Sequence, residues 1–416
     1  MLVWSLGGVI ALLGALTFAE LGGRYGRTGG QYEILRDAFG TGVGFVYVFC
    51  NATAIQAGAI AIIAYYASLN LFNVFSVFDG DNSTHQLLVY VLAVMQIAVL
   101  SLTNFLGVRW GSLAQNITVL AKLATLVMII AAALFITVGT GTETVAVVAT
   151  EKPPEETSKL FLFFAALVPV LFTFGGWQHA LWIGGEVKNP SRNIPLAITL
   201  GVLVVTVVYL SANWAYFSLL GFDGVARTKT VAADAMGAAW PQWGSRVVGA
   251  AVWFSGFGVL NSQLLSGPRL ICGMARDGRF FKPFAQLHPR FQTPHWAILL
   301  LGGLGLTLLL VLKTEKIGSL LNGVVMIDAI FFVLTSFALV ILRTRSQESE
   351  WPFRIPFFPL GPVLFGIMEI IVLVGAFSIE KYRVSAVVGI LWMIAATLIY
   401  VALFRHRKAG VDEAAG

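Results

Sequence analysis

An unusual run, Leu171-Phe172-Thr173-Phe174-Gly175-Gly176-Trp177-Gln178, lies near the middle of a long apolar stretch. Adjacent glycines allow a helix to unwind, because glycine has no Cβ and adopts backbone angles that other residues avoid. An unwound helix in an apolar environment exposes N–H and C=O groups that can bind an ion or a zwitterion. Gly175 and Gly176 therefore predict a binding site made of backbone groups, although paired glycines can also serve close helix packing alone.

Lys122 and Asp328 are charged residues inside other apolar stretches, where a charge is costly enough to suggest a function. Lys122 is about six residues into its stretch, or roughly 9 Å, so its ammonium group could instead extend to the membrane surface. Asp328 is nearer the centre of its stretch, so it is predicted either to face a wet cavity or to be neutral. Asn51, Gln56 and Asn261 are polar as well, but amides in such stretches more often link neighbouring helices.

Eleven apolar stretches of this kind run through nearly the whole chain, and each is long enough to cross a bilayer as a helix. They cover residues 2–21, 43–72, 87–108, 116–139, 160–185, 194–220, 247–272, 296–312, 317–342, 360–379 and 384–404. Hydrophobic residues make up 57% of the chain and charged residues 12%, with a mean hydropathy of +0.82. Lipid tolerates only backbones whose hydrogen bonds are internally satisfied. The sequence therefore predicts an all-α, polytopic membrane helix bundle of about eleven transmembrane helices.

The stretches form one predicted transmembrane domain, residues 1–404, followed by a polar tail at residues 405–416. Alternate loops hold 17 of the 27 lysines and arginines, among them Arg24, Arg269 and Arg343. Such an excess marks the cytoplasmic side. The tail is then cytoplasmic, residues 140–158 are external, and Met1 is external.

No motif for soluble-enzyme chemistry is present. The sequence contains no phosphate-binding loop, no H-E-x-x-H motif and no cysteine or histidine cluster with metal-ligand spacing. An intramembrane enzyme would need paired carboxylates or histidines within the membrane, and the sequence shows no evident second residue that would pair with Asp328. The net charge of +6 has no basic soluble region to carry it, which excludes a nucleic-acid partner. We therefore predict no catalytic residues, no metal and no cofactor.

Several loops have a recognisable sequence. The amino acid permeases of the amino acid, polyamine and organocation superfamily resemble this chain from about residue 2 to 404, most closely in the L-type amino acid transporter branch and its bacterial relatives. The motifs that carry the resemblance are Ala19-Glu20-Leu21 with Gly29-Gly30-Gln31-Tyr32, Phe174-Gly175-Gly176-Trp177 with Glu186 and Asn189-Pro190-Ser191-Arg192-Asn193-Ile194-Pro195, and Pro268-Arg269-Leu270 with Met274-Ala275-Arg276-Asp277-Gly278.

The resemblance implies a LeuT-like inverted repeat, in which the first and sixth of twelve helices are broken at mid-membrane around the substrate. The match begins at the family's second helix, so residues 172–177 resemble the broken sixth helix. The first helix, with its own break, is expected to be missing, which would explain the odd number of stretches and the external Met1. On that expectation the chain alone neither binds nor transports amino acids.

The resemblance also suggests roles for individual residues. Phe172 resembles an aromatic gate over the substrate, and Thr173, Phe174, Gly175 and Gly176 resemble the segment that contacts the substrate's amino group. A second set of residues completes the prediction: Lys122 resembles the lysine that replaces a sodium ion in sodium-independent members, and Asn51, Gln56 and Asp328 are candidate pocket residues. Asp328 would favour substrates with a donor or a positive charge.

These observations predict a multi-pass protein of the cell membrane that performs secondary active transport of amino acids by alternating access. Transport would be sodium-independent and driven by protons or by exchange. The partners are then an amino acid, the lipid bilayer and, for one mode of coupling, protons; the sequence fixes neither the particular amino acid nor the oligomeric state. A membrane sensor, a partner-dependent structural subunit and an inactive truncated permease are the alternatives. Lys122 facing a cavity favours transport, whereas Lys122 facing lipid headgroups favours a sensor or subunit.

Overall fold

The computed structural model describes residues 1–75, 82–139, 159–228, 230–311, 314–378 and 380–407. Within these ranges most residues belong to helices, no strand forms, and an isolated bridge pairs Thr28 with Ile183. The predicted all-α fold is confirmed. The external segment predicted at residues 140–158 lies outside the described residues, as does the predicted tail beyond residue 407.

Helices are numbered in chain order within the described residues. The first eight are α1 (Leu2–Arg24), α2 (Gly30–Phe39), α3 (Thr41–Cys50), α4 (Ala57–Phe75), α5 (Asn82–Phe105), α6 (Val108–Gly139), α7 (Lys159–Phe174) and α8 (His179–Trp182). The others are α9 (Pro190–Arg227), α10 (Val231–Ala239), α11 (Gly244–Arg276), α12 (His295–Val311), α13 (Thr314–Arg345), α14 (Leu360–Ser378) and α15 (Glu380–Ile399). A π-helical turn, Asn51–Gln56, joins α3 to α4, and another, Tyr400–Phe404, follows α15.

The long helices have the length and composition of membrane spans. In the described part of the chain, eight helical segments meet both criteria: α1, α3 continued by α4, α5, α6, α9, α11, the second half of α13, and α15 with its π-helical turn. The apolar helices α12 and α14 are shorter in their described parts, and α7 ends early, at the predicted break. The chain is therefore a polytopic membrane helix bundle.

Small residues allow the helices to approach closely. A Cβ added to Gly256 of α11 would lie 2.7 Å from the Cβ of Ala67 of α4. A Cβ added to Gly305 of α12 would lie 2.5 Å from the side chain of Ile60, also on α4. Lipid tails are as apolar as the side chains, so helix association in a membrane depends on such packing and on hydrogen bonds. These glycines therefore hold α4 against α11 and α12.

Asn261 of α11 joins three helices through its amide. It accepts a hydrogen bond from the Asn104 side chain of α5 at 2.9 Å and donates one to the Gly111 carbonyl of α6 at 2.8 Å. The interpretation of Asn261 as a link between helices is confirmed.

The loops predicted to be cytoplasmic meet at one end of the bundle, which we call the arginine-rich end. Ion pairs join these loops and the adjoining helix ends: Arg24 with Glu350, Arg36 with Asp277 at 3.2 Å, Arg269 with Glu186 at 2.8 Å, and Arg343 with Glu20 at 3.0 Å. The Tyr32 hydroxyl also donates to Asp277, at 2.6 Å. Burial, reinforced by this bond, raises the pKa of Tyr32, so its hydroxyl stays protonated as a donor.

Candidate functional site

The predicted break in α7 is confirmed. Helix α7 ends at Phe174 and α8 begins at His179, so the backbone of residues 175–178 is not helical. Pro169 lies inside α7 and supplies no N–H to its helical ladder. Gly176 has a φ of 121°, a conformation that residues with a Cβ rarely adopt, and a Cβ added there would meet nothing within 4 Å. The glycine therefore permits the break and leaves open space beside it.

Side chains satisfy some of the backbone groups that the break releases. The Gly176 N–H donates to Gln178 Oε1 at 3.0 Å, and the Tyr209 hydroxyl of α9 donates to the Thr173 carbonyl at 3.3 Å. The Thr173 hydroxyl donates to the Pro169 carbonyl, one turn earlier in α7, at 2.7 Å. These bonds hold the unwound segment without closing it into a regular helix.

A cavity of about 570 Å³ lies beside the break. Its size is typical of sites for small molecules. It brings together six of the residues predicted from sequence: Gln56, Lys122, Thr173, Gly175, Gly176 and Asp328. Side chains from α4, α6, α9, α11, α13 and α14 complete the wall. The cavity is therefore central to the bundle, and both apolar and polar groups line it.

Two other predicted residues, Phe174 and Asn51, are not among those that line this wall. Phe174 points away from it, packing its ring 5.2 Å from that of Tyr209 and 6.2 Å from that of Trp4 of α1. Asn51 is buried at the start of the π-helical turn and is not among the residues that line the cavity. The side chain of Phe172 lies outside the described part of the structure, so its role as a gate stays a prediction.

Lys122 lines the cavity rather than the membrane surface. Helix α6 begins at Val108, eight residues before the predicted stretch, so Lys122 lies roughly 21 Å along its axis. That distance is longer than the one from the start of the apolar stretch, and a lysine side chain cannot span it back to the first turn of α6. Among the described residues no hydrogen bond or ion pair of the Lys122 ammonium is found. A positive charge is therefore available to the cavity.

The π-helical turn Asn51–Gln56 ends at a cavity residue. Gln56 is 1% exposed and lines the cavity, and its Oε1 accepts no hydrogen bond within the described residues. Single turns of π-helix occur often at functional sites, where they shift the register of the following side chains. The turn has no sequence signature, so only the polarity of Gln56 could have marked this position.

One acidic residue of the cavity was missed in the sequence. Glu369 of α14 lines the same wall as Asp328 of α13, and it is buried. A second carboxyl group, which the sequence had not indicated, therefore lines the cavity together with Asp328. A carboxylate in the middle of the apolar helix Leu360–Ser378 was a signal by itself, but its direction could not be read without the packing of α13 on α14.

Aromatic rings separate the carboxyl groups from the arginine-rich end. Phe332 lies one turn after Asp328 on α13, and its ring is 5.7 Å from that of Trp177 and 6.2 Å from that of Phe365 on α14. Phe18 of α1 contacts Phe332 with ring centroids 5.5 Å apart. We call these four residues the aromatic cluster. One ring of this cluster, that of Phe332, is part of the cavity wall.

A polytopic helix bundle with a polar cavity at a broken helix has the architecture of a membrane transport protein. Comparison with known families agrees: the family described as amino acid permease matches residues 1–404. The chain belongs to this amino acid permease family. It is accordingly a multi-pass protein of the cell membrane and not an enzyme, as the sequence predicted.

Individual relatives are moderately similar over most of their length. The serine/threonine exchanger SteT of Bacillus subtilis is 29% identical over 368 residues, which cover 87% of this chain and 79% of the relative. The human b(0,+)-type amino acid transporter 1 is 29% identical, with 99% of this chain and 81% of the relative covered. The human cystine/glutamate transporter is 26% identical, with 87% and 70% covered. These relatives agree with the predicted resemblance to the L-type branch.

Proposed function

We propose that this protein is a secondary transporter of amino acids that works by alternating access, as the elements around the broken helix rock against the rest of the bundle. The observation that carries the proposal is the central cavity, which joins the unwound backbone at Gly175 and Gly176 to the charged side chain of Lys122. The backbone between Thr173 and Gly176 would bind the amino group of the substrate. Phe172 is the proposed gate.

Lys122 is proposed as a fixed cation that takes the place of a sodium ion. Its position supports this role, because the ammonium group lines the cavity at mid-helix and has no carboxylate partner among the described residues. A sensor or structural subunit would fit a Lys122 that faced lipid headgroups, and the cavity position instead favours transport. Transport is then independent of sodium.

Coupling by exchange is one proposed mode, in keeping with the name of the Bacillus relative, and coupling to protons is the other. The two modes differ in a simple measurement. Exchange requires an amino acid on both sides of the membrane, so uptake into liposomes preloaded with amino acid should far exceed uptake into empty ones. Proton coupling instead requires a pH gradient and no preloading.

The binding site can be tested by substrate protection of a cysteine. Ser262 of α11 lines the cavity, and the native Cys50 and Cys272 are both buried. A Ser262→Cys variant should react with a water-soluble maleimide, and a saturating amino acid should slow the reaction at least fivefold by occupying the cavity.

Ser255 provides the matched control, since it lies on the same helix but lines a separate cavity near Tyr66 and Asp234. The Ser255→Cys variant should react at a rate that the amino acid does not change. Equal rates with and without substrate at Ser262→Cys, in a protein that still transports, would place the binding site elsewhere.

A further inference from the structure

A pair of carboxyl groups in the cavity has no part in the transport cycle described so far. Asp328 of α13 and Glu369 of α14 both line the cavity, and their two helices pack closely together. Glu369 is only 6% exposed, and among the described residues no hydrogen bond or ion pair satisfies it. A buried carboxyl group without a partner is costly. A donor supplied by a ligand would recover that free energy.

The pair adjoins the backbone that is proposed to bind the amino group. Gln178 connects the two, because its Oε1 accepts from the Gly176 N–H at 3.0 Å while its Nε2 lies 3.5 Å from Asp328 Oδ2. The carboxyl group of Asp328 therefore lies one side chain beyond the break, and Glu369 lines the same cavity. A substrate anchored at Gly176 would extend its own side chain over this part of the wall.

The charges of the cavity are distributed on different walls. Lys122 belongs to α6, which packs against α9 and α11, whereas Asp328 and Glu369 belong to the packed pair α13 and α14. With all three groups ionised, the wall carries one positive and two negative charges. An amino acid with a cationic side chain carries one negative and two positive charges, which is the complement of this set. A neutral amino acid, whose amino group would bind the backbone between Thr173 and Gly176, offers no side-chain cation to the two carboxylates.

The surroundings of the pair suit an organic cation better than a metal ion. In the part of the chain that the structure describes, no group of three or more histidine, cysteine, aspartate or glutamate side chains could hold a metal. Phe332, one turn from Asp328, adds an aromatic face to the cavity. A long aliphatic side chain with a terminal cation matches such a wall, because its methylene groups bury apolar area while the cation meets the carboxylates.

We propose that Asp328 and Glu369 form a subsite for the positively charged side chain of the substrate, with Glu369 determining the preference for cationic over neutral amino acids. This inference rests on the proposed transport function and adds a substrate class to it. Asp328 was predicted from sequence to favour positive charge, and the pairing with Glu369 gives that preference a structural basis. The two carboxylates together bind one ammonium or guanidinium group and replace the water that it loses on entering the cavity.

The test is a comparison of labelled lysine and labelled serine uptake by the purified protein in liposomes at equal pH on both sides. Lysine should be preferred by the unaltered protein. The Glu369→Gln substitution should lower the ratio of lysine to serine uptake efficiency at least tenfold, about 1.4 kcal/mol. Glu369→Asp, which keeps the charge, should restore most of the ratio, and Asp328→Asn should lower it as Glu369→Gln does.

Asp223 near the outer end of α9 provides a matched control, because it is not among the residues that line the cavity. The Asp223→Asn variant should keep the ratio of the unaltered protein. An unchanged ratio in a folded Glu369→Gln protein, judged by a symmetric elution profile, would overturn the subsite. Equal losses of lysine and serine uptake, together with lost stimulation by a pH gradient, would also overturn it and would make Glu369 a proton carrier. Absence of all amino acid uptake by the unaltered protein would instead refute the proposed function and favour the inactive truncated permease, which was an alternative from the sequence.

Discussion

The Gly176→Leu substitution is expected to abolish amino acid binding while the bundle stays folded. At a φ of 121° a leucine is strained by about 1–3 kcal/mol, so the backbone should return toward helical angles and restore regular hydrogen bonds between Phe174 and His179. The new side chain would also fill the open space beside the break. Isothermal titration calorimetry with the amino acid that the unaltered protein binds should then show no heat of binding.

Gly303 of α12 allows a matched control for the added side chain. It is exposed on a regular helix, and a Cβ added there would meet nothing within 4 Å. The Gly303→Leu variant should bind normally, because leucine favours a helix more than glycine does. Binding that survives in Gly176→Leu with unchanged affinity would show that the pocket does not depend on the broken helix.

The Lys122→Ala substitution is expected to abolish uptake without reducing expression. The ammonium group supplies the fixed charge that is proposed to replace an ion, and removal of that charge should leave the cycle without it. Stability should respond in the opposite direction. A charge buried without a partner costs about 2.5–3.5 kcal/mol on insertion scales, so the variant should melt at the same or a higher temperature in detergent.

Loss of uptake together with unchanged or raised thermal stability distinguishes a functional lysine from a structural one. Uptake by liposomes measures the first effect, and thermal unfolding in detergent measures the second. Lys188, exposed in the loop before α9, is the matched control, and Lys188→Ala should transport normally. Normal uptake by Lys122→Ala would refute the assignment, whereas a large loss of thermal stability would point to a structural role.

The helices could be predicted from sequence because lipid leaves a spanning backbone few alternatives. The break could be predicted as well, since Gly175 and Gly176 interrupt an apolar helix and glycine tolerates the φ observed at Gly176. The directions of individual side chains could not be predicted from the sequence. Phe174 is adjacent to Gly175, which lines the cavity. The Phe174 ring nevertheless packs against Trp4 and Tyr209, because α7 ends at this residue.

The cavity wall was the least predictable part. Glu369 could be recognised as costly from its apolar surroundings, but its partnership with Asp328 depends on the packing of α13 against α14. The π-helical turn that ends at Gln56 has no pattern in the sequence. Lys122 lies farther from the start of its helix than from the start of its apolar stretch, because α6 begins at Val108. Each of these features follows from tertiary contacts between helices rather than from the order of residues within one.

Uptake of a mixed panel of labelled amino acids into proteoliposomes, with sodium replaced by an organic cation, tests the central claim most directly. The fixed charge of Lys122 should make sodium unnecessary, so uptake should proceed at the same rate with and without it. Liposomes without protein and liposomes containing the Lys122→Ala variant serve as controls for leakage. Uptake that requires sodium, or that does not exceed these controls for any amino acid, would contradict the account.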